Sequence, residues 1–382
     1  MCCVTFLLKI NDMRILLFGE FSGLFNCLKD GLEAIGHEVY LVSDGNGYKN
    51  YPSDFRYDIK LPKFLRKFSA PINYLNLWLH RKLLKGYDVV YFMDPSIISR
   101  HVSLNAPLYR YMIKHNKASF LCGAGDTALM VDYWIHSNEK YKNYVQGIIN
   151  NQKETGSVVL YPNKKLEMWE DELLNSIDGY IPIWYEYAQP FRKYKSLKKT
   201  IRIPIPVGNF EYKPNVVKDK IVFFHGVSTR EEAKGTPYIK EAFKRMEKKY
   251  GDVAEFICVG GLPFDEYMAL VSRINVILDD ANSYSIAMNG LFALSMGKIV
   301  MGGAEPEGNE ELGISNVNPV INIEPNVDQI CSQIEYIIHN RVKIEEWGCL
   351  SRKFVEEYHN PIDIAKKYSK IFIDKLNNCY EK

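Results

Sequence analysis

The 382-residue sequence lacks the features that mark several specialised protein classes. No apolar run approaches the roughly 18 to 20 residues that a membrane-spanning helix needs. The eight cysteines form no CxxC pair and no metal-ligand spacing with histidine, which favours a reduced, cytoplasmic setting without a metal. The net charge of +2 gives no global field that would attract nucleic acid. There is no GxGxxG motif, so nothing indicates NAD.

The opening segment has little that resembles a signal peptide. Residues 1–12 contain a short apolar core, Val4–Leu8, and no small-residue cleavage site. Met13 stands directly before a strong strand pattern. We expect residues 1–12 to be an extension that is disordered or that arises from a misassigned start.

The rest of the chain alternates strand and helix signals, and its length favours two domains. The run Arg14–Phe18 is apolar without alternation, which is typical of a strand buried on both faces. The rhythm restarts after the Pro- and Gly-rich segment Ile203–Pro214. We therefore expect an α/β protein with two Rossmann-like, doubly wound parallel sheets.

The expected boundaries are 13–205 for the first domain, 206–216 for a linker, 217–358 for the second domain and 359–382 for a C-terminal helix. The predicted strands are Arg14–Phe18, Glu38–Val42, Asp88–Phe92, Ser119–Leu121 and Gly179–Ile183 in the first half, and Lys220–Phe224, Ala254–Val259, Val276–Asp279, Lys298–Met301 and Val320–Ile323 in the second.

The segment 225–237 is the strongest candidate for an anion site. It follows the first strand of the second half, and ligands of parallel sheets bind beyond the carboxyl ends of strands. Thr236 is a suitable N-cap and Pro237 a suitable first helical residue, so Arg230 and Lys234 precede a helix start with free N–H groups. A diphosphate would meet two cations and a helix dipole there. Ion pairs of these loop cations with Glu231 or Glu232 are the alternative interpretation.

Other polar residues follow other strands of the second half. Asn282 or Ser283 is placed to cap a helix, Asp280 and Tyr284 could hold a ribose or a base, and Glu305 could accept hydrogen bonds from sugar hydroxyls. The candidate ligand-binding residues in this half, which the resemblance described below assigns to a sugar nucleotide, are His225, Gly226, Asp280, Asn282, Ser283, Tyr284, Asn289 and Glu305. Asn289 is included because a buried asparagine in an apolar segment needs partners.

Two loops of the first half add further candidates. Glu20, Ser22 and Gly23 follow the first strand, where glycine permits close approach to a ligand. Asp126 follows the strand Ser119–Leu121 and brings a carboxylate to the same edge. Taken singly, residues of this kind are more often structural than catalytic.

A basic stretch stands out between Asp58 and Asp88, where no acidic residue occurs. Its seven cations are interleaved with Phe64, Phe68 and Trp78. The pattern indicates either a surface that contacts an anionic membrane through Lys60–Lys85 or an ordinary solvated face around a buried stripe.

The sequence resembles the GT-B glycosyltransferases of family 4, or group 1, which act in bacterial polysaccharide synthesis. The residues that carry the resemblance are MRILLFGEFSG at 13–23, RxxxKG at 230–235 and LFALSMGKIVMGGAE at 291–305. The resemblance implies two domains facing a central cleft and a nucleotide-diphospho-sugar donor, with no cofactor or metal. It also implies transfer with retention, with Arg230 and Lys234 neutralising the departing diphosphate and Asp126 as a third catalytic candidate.

Two motifs of the family pattern are altered in this sequence. The E-x7-E glutamates correspond to Tyr284 and Phe292, and the usual first-half histidine is replaced near Asp126. Either Asp280, Asp126 and Glu305 take over hydroxyl recognition, or catalysis is impaired. The resemblance thus implies a hexosyltransferase acting on a glycan or lipid-linked acceptor. A non-catalytic sugar-nucleotide-binding scaffold subunit and a sugar-nucleotide epimerase are the alternatives.

Overall fold

The computed structural model describes residues 12–192, 202–208, 210–262 and 264–380. Within these ranges the strands form one six-stranded and one five-stranded sheet, in which every pair of neighbouring strands is parallel. The prediction of two parallel α/β sheets is confirmed. Residues 1–11 of the expected extension lie outside the described residues.

The strands of the first sheet run in the order β3-β2-β1-β4-β5-β6 and those of the second in the order β11-β10-β9-β7-β8. Their bounds are β1 (Arg14–Phe18), β2 (Glu38–Ser43), β3 (Phe55–Arg56), β4 (Val89–Phe92), β5 (Ala118–Leu121), β6 (Gly179–Tyr180), β7 (Ile221–Val227), β8 (Ala254–Gly260), β9 (Val276–Leu278), β10 (Ile299–Gly302) and β11 (Ile321–Asn322).

The α-helices of the described ranges connect and cover these strands, as expected for doubly wound sheets. They are α1 (Leu24–Ala34), α2 (Ser69–Leu79), α3 (Ala106–His115), α4 (Ala128–Ile135), α5 (Tyr141–Glu154), α6 (Lys164–Ser176), α7 (Tyr185–Ala188), α8 (Thr236–Tyr250), α9 (Phe264–Arg273), α10 (Met288–Ser295), α11 (Pro306–Leu312), α12 (Val327–His339), α13 (Ile344–Tyr358) and α14 (Pro361–Tyr380). None of these helices is both long enough and apolar enough to cross a membrane.

The chain divides into two compact units. The first contains residues 1–125, 169–181 and 361–382, and the second contains residues 126–168 and 182–360. The domain boundaries drawn from the sequence stay a prediction. The contacts group residues differently, because α5 packs against residues 229–233 of the second unit.

The C-terminal helix α14 belongs to the first unit, where it covers one face of the sheet. Its Phe372 ring packs against Phe120 of β5 at a centroid distance of 4.8 Å. A Cβ atom on Gly31 of α1 would lie 2.2 Å from the carbonyl oxygen of Pro361, so the two helices touch at backbone distance. The predicted C-terminal helix is confirmed.

The second unit has its own apolar core, built by the sheet and the helices that flank it. Phe223 of β7, Ile239 of α8, Val276 of β9 and Ile334 of α12 all lie in it and are fully buried. Because strands such as β7 are buried on both faces, they read as continuous apolar runs in the sequence.

Candidate functional site

Three loops of the second unit start from adjacent strands, β7, β9 and β10. Because these strands are parallel, their carboxyl ends lie at one edge of the sheet, where open α/β sheets bind ligands. The loops carry the predicted residues Arg230, Lys234, Asp280, Tyr284 and Glu305. The loops after β7 and β9 are also joined directly, because the N–H of Ala281 donates to the carbonyl oxygen of Lys234 at 3.1 Å.

Arg230 and Asp126, which the sequence placed in different halves, form an ion pair. The Nη1 atom of Arg230 lies 3.0 Å from Oδ2 of Asp126. The other carboxylate oxygen accepts hydrogen bonds from the hydroxyls of Tyr144 (3.3 Å) and Tyr187 (3.4 Å). The side chain of Asp126 is 7% exposed and that of Arg230 is 46% exposed. The buried carboxylate therefore holds a guanidinium whose other side faces solvent.

The guanidinium of Arg230 has N–H groups that could still donate hydrogen bonds to a ligand. Among the described residues, hydrogen-bond partners contact its Nη1 atom and none contacts Nε or Nη2. An arginine can present its planar fork to two oxygens of a phosphate. The ion pair with Asp126 thus orients the guanidinium and leaves its Nε and Nη2 donors for a ligand.

Lys234 lies against the acidic pair that follows β9. Its Nζ atom is 3.5 Å from Oδ1 of Asp279, and its side chain is 16% exposed. Asp280 is buried, and this burial raises the pKa of its carboxyl, an effect that the nearby Lys234 opposes. The ammonium is therefore close to two carboxylates but makes no tight hydrogen bond to either.

The start of α8 differs from the prediction. Gly235, with φ of 70°, occupies the N-cap position, and Thr236 is the first helical residue. The N–H groups of Gly235, Thr236 and Tyr238 donate to carbonyl oxygens at 3.1, 3.0 and 3.1 Å, and Pro237 has no N–H. The prediction of free N–H groups at this helix start was wrong, because the preceding turn folds back to satisfy them.

The strand β7 extends through Val227, so His225 and Gly226 lie in the sheet rather than in the loop. The Nδ1 atom of His225 donates to the carbonyl oxygen of Leu278 at 2.9 Å, since a carbonyl can only accept. Its Nε2 atom then accepts from the hydroxyl of Thr236 at 2.8 Å. Burial lowers the pKa of His225 to about 4. The ring is neutral and both of its nitrogens are engaged, so its role as a ligand contact stays a prediction.

The loop after β9 also differs from the prediction. Helix α10 begins at Met288, and the N–H of Ala287 before it donates to Oδ2 of Asp279 at 2.7 Å. Neither Asn282 nor Ser283 caps a helix, so that prediction was wrong. The buried Asp279 carboxylate stabilises the helix start instead. The hydroxyl of Ser283 bonds the carboxylate of Asp280.

Asn282 and Asn289 have opposite environments. Asn282 is 1% exposed, and its Nδ2 atom donates to the carbonyl oxygens of Glu232 (3.0 Å) and Ala233 (2.9 Å). Its Oδ1 atom is buried and has no partner among the described residues. The residue lines a surface recess of about 250 Å³ between α5 and α8. Asn289 is exposed, so the expectation that it is buried and needs partners was wrong.

Tyr284 and Glu305 contact residues of the first sequence half that were not predicted. The Tyr284 hydroxyl donates to Glu139, and the Glu305 carboxylate pairs with Lys140. The Tyr284 ring also stacks on Tyr185 at a centroid distance of 5.2 Å. The Phe292 ring packs on Phe210 at a centroid distance of 4.6 Å. Both positions serve packing in this chain.

Glu186 is the buried polar residue that the sequence reasoning missed. Its side chain is 0% exposed, and its Oε1 atom accepts the N–H groups of Tyr284 at 2.6 Å and Ser285 at 3.0 Å. Its Oε2 atom accepts the Ser285 hydroxyl at 3.3 Å. Burial raises the pKa of its carboxyl. A glutamate set among Trp184, Tyr185 and Tyr187 was the signal available in the sequence.

The first-half candidates Glu20, Ser22 and Gly23 lie at the carboxyl end of β1 in the first unit. The Glu20 carboxylate is buried and accepts the N–H groups of Gly23 at 2.8 Å and Asn26 at 2.9 Å. Ser22 accepts a hydrogen bond from Lys49 at 2.7 Å. Glu20 therefore stabilises the start of α1, where a carboxylate complements the helix dipole.

The chemistry of the second-unit site suits an anionic ligand. Two cations lie at one sheet edge, and each of them lies beside a carboxylate. A bound phosphate could replace that carboxylate as the partner of the cation. Among the described residues, no group of three or more His, Cys, Asp or Glu side chains is placed to hold a metal ion.

Comparisons with known proteins identify the fold. No family model matches the sequence, and no curated protein matches it either. The structure is similar to sucrose-phosphate synthase from Thermosynechococcus elongatus, with a TM-score of 0.60 and 14% identity over 94% of this chain and 98% of that chain. It is similar to HepE from Anabaena, solved in complex with UDP-glucose, with a TM-score of 0.56 and 11% identity over 94% and 99% of the two chains.

A third similar structure is the UDP-GlcNAc 2-epimerase from Neisseria meningitidis bound to UDP-GlcNAc. Its TM-score is 0.51 and its identity 12%, over 95% of this chain and 100% of that chain. Together with the two parallel sheets, these similarities confirm the GT-B fold class. At such low identity they show the fold alone, and the same fold serves transferases and an epimerase.

Proposed function

We propose that the chain is a glycosyltransferase that moves a sugar from a nucleotide-diphospho-sugar to a glycan or lipid-linked acceptor in surface polysaccharide synthesis. The observation that carries the proposal is the placement of Arg230 and Lys234 at the carboxyl edge of the second sheet, with part of the Arg230 fork uncommitted. The shared fold with a protein solved with UDP-glucose supports it.

The proposed chemistry is electrostatic. Negative charge grows on the diphosphate as the bond to the sugar breaks, and fixed cations lower the energy of that transition state. Asp126, with the hydroxyls of Tyr144 and Tyr187, positions the Arg230 guanidinium. Each charge-assisted hydrogen bond would contribute about 1.5–3 kcal/mol. Transfer would proceed with retention and without a metal.

The remaining predicted residues enter the same proposal as recognition groups. Asp280 and Glu305 would accept hydrogen bonds from hydroxyls of the donor, taking the place of the glutamates that Tyr284 and Phe292 replace. Tyr284 would contact the ribose or the base. The loop Glu20–Gly23 of the first unit, whose Glu20, Ser22 and Gly23 are candidate sugar-nucleotide contacts, would approach the donor or the acceptor.

Donor binding tests the proposal. Titration calorimetry with a panel of UDP-, GDP- and ADP-sugars should detect binding of at least one. The double variant Arg230→Ala, Lys234→Ala should weaken that binding at least tenfold, because two phosphate contacts are removed. The matched control is Arg245→Ala, Lys248→Ala, which removes the same two charge types from the far end of α8. Equal affinity in wild type and in the first double variant would contradict the proposal.

Two alternatives each have a supporting observation. The packing of Tyr284 and Phe292 at the glutamate positions favours a non-catalytic scaffold subunit that binds sugar nucleotides. The similarity to a UDP-GlcNAc 2-epimerase favours epimerisation. Turnover of a donor, including slow hydrolysis, would exclude the scaffold, and conversion of a nucleotide sugar without acceptor would favour the epimerase.

We also propose that the first unit docks on an anionic membrane through the basic segment Lys60–Lys85. Large apolar side chains of this segment are exposed, among them Phe64 at 76% and Leu79 at 66%. Phe68, Leu75 and Leu79 follow helical spacing on or next to α2, so they share a face. An exposed apolar face in a segment whose Asp and Glu content is zero and which carries seven Lys and Arg residues suits the interface of an anionic bilayer. Flotation with lipid vesicles measures this attachment.

A further inference from the structure

The loop after β9 contains a site with the donor geometry that oxyanions require. Two consecutive backbone N–H groups, of Tyr284 and Ser285, point at one oxygen of Glu186, at 2.6 and 3.0 Å. The Ser285 hydroxyl supplies a third donor to the other oxygen, at 3.3 Å. Convergent backbone donors of this kind bind carboxylates and phosphates alike. The occupant in this structure is a side chain of the chain itself.

This site belongs to the same sheet edge as the two cations. Ala281, three residues before Tyr284, is hydrogen-bonded to Lys234, and Asn282 is hydrogen-bonded to Ala233. The short loop 281–285 therefore connects the cations to the convergent N–H groups through covalent and hydrogen bonds. A ligand phosphate at this edge could therefore contact the cations and the convergent N–H groups from two neighbouring loops.

The Glu186 carboxylate is held by local contacts, so a ligand could displace it from the N–H groups. Glu186 is part of a single-turn helix, α7 (Tyr185–Ala188), and its backbone carbonyl accepts the Trp134 indole N–H at 2.8 Å. Its carboxylate accepts hydrogen bonds from the loop that it fills and from its own backbone N–H, and the nearby charge of Arg202 also favours its ionised form. A fully buried carboxylate is costly to desolvate unless donors compensate it. An anion with more charge and more acceptor oxygens would gain more from the same donors.

We propose that Glu186 is an internal competitor for anion binding: its carboxylate fills the oxyanion site of Tyr284 and Ser285, and a phosphate of the donor binds there after displacing it. This inference rests on the proposed function, because that function identifies the phosphate as part of the donor. Glu186 would weaken the binding of this phosphate, since it occupies the site in the protein without a ligand. Displacement by the ligand would couple donor binding to movement of α7.

The test compares the affinity of inorganic pyrophosphate and of UDP for the whole protein and two variants. Glu186→Ala empties the site and should tighten pyrophosphate binding at least tenfold. Glu186→Gln keeps an acceptor oxygen but removes the charge, so it should tighten binding by a smaller factor. The control is Glu335→Gln, which removes one negative charge from the pair with Lys249 and leaves Glu186, Arg202 and the N–H groups unchanged.

Unchanged or weaker pyrophosphate binding in both Glu186 variants would overturn the inference, as would equal tightening in Glu335→Gln. If Glu186→Ala does not fold, Glu186→Gln decides alone. The outcome is separable from that of the proposed function. Tighter pyrophosphate binding in the Glu186 variants, with no nucleotide-sugar binding in any variant, would support the role of Glu186 and reject the transferase. Nucleotide-sugar binding with the same affinity in wild type and in the Glu186 variants would support the transferase and reject the role of Glu186.

Discussion

At the scale of single residues, His225 is a buried polar group of the second unit whose two ring nitrogens are both hydrogen-bonded. His225 links β7, β9 and α8 through Leu278 and Thr236. Because the Leu278 carbonyl needs a donor and the ring is desolvated, the neutral tautomer with a proton on Nδ1 is the one that the fold accepts. Such a residue makes stability depend on pH.

Stability should fall in acid through His225. Its pKa is lowered from 6.5 to about 4 in the folded state, so its stabilising effect is complete above pH 6.5 and is lost as pH falls from 6.5 towards 4. The loss amounts to roughly 3 kcal/mol at about 1.4 kcal/mol per pKa unit. Thermal unfolding midpoints measured from pH 7 to pH 4.5 should decline less steeply for His225→Gln than for wild type.

The exposed His101 provides the control for that experiment. His101→Gln should leave the slope of the midpoint against pH as it is in wild type. A His225→Gln variant with the wild-type slope would show that other groups cause the acid sensitivity.

Residue types predicted which side chains could bind an anion but not which partners they would have. Arg230 and Lys234 are recognisable by their spacing before a glycine. Their carboxylate neighbours, Asp126 and Asp279, are separated from them by 104 and 45 positions in the sequence. No local sequence pattern could therefore predict these two ion pairs. Glu186 was missed for the same reason, because its donors lie about 100 positions away.

At the scale of elements, α5 and the loop after β7 meet at backbone distance. A Cβ atom on Gly147 would lie 2.3 Å from the backbone nitrogen of Ala233. Hydrogen bonds from Asn150 to Glu232 and from Asn151 to the carbonyl oxygen of Thr229, both 2.8 Å, fix the same contact. The position of Arg230 therefore depends on a helix that no motif marks.

Replacing Gly147 by valine should separate α5 from this loop. A buried clash with backbone typically costs about 1–3 kcal/mol or more, which outweighs the gain in helix propensity of less than about 1 kcal/mol. We expect Gly147→Val to lower the thermal midpoint by several degrees and to weaken donor binding. Asn143→Val, at an exposed position of the same helix, is the control and should change neither. An unaltered midpoint in Gly147→Val would contradict the close contact.

The element bounds were predictable where the apolar rhythm is strong and not where a distant residue sets the boundary. The periodicity of the sequence predicts helices at Lys164–Ser176 and Phe264–Arg273, and α6 and α9 have these bounds, as β1 has the bounds predicted for it. The periodicity also predicts a helix at Ser285–Met296, but α10 begins three residues later, at Met288, because Asp279 stabilises its start. Helices α4 and α5 were not predicted.

At the scale of the whole molecule, the sequence predicts two parallel sheets but not which segments accompany each. Residues 126–168 group with the second sheet and residues 361–382 with the first. These assignments depend on contacts such as Gly31 with Pro361, between residues that are far apart in the chain. Periodicity carries no information about such contacts.

The basic segment gives the molecule one face suited to a bilayer, and vesicle flotation should reveal it. The protein should bind vesicles that contain phosphatidylserine, and binding should weaken as salt rises because charges near the surface are screened. Phe64→Ser with Leu79→Ser should reduce binding at least tenfold, since two exposed anchors are lost. Val342→Ser, at a side chain 92% exposed elsewhere, is the control.

Absence of wild-type binding to these vesicles at low salt would reject membrane docking and leave the donor-site proposal untouched. Equal binding of the double serine variant and wild type would assign the attraction to charge alone.

The position of α14 has a consequence for biosynthesis. This helix packs on α1, and its Tyr368 and Phe372 rings contact Tyr91 of β4 at 5.5 and 5.8 Å. In the chain, α14 follows every described strand of the sheet that it covers. That sheet therefore has an apolar face without its cover until α14 has been translated. Truncation within α14 would leave the same face exposed.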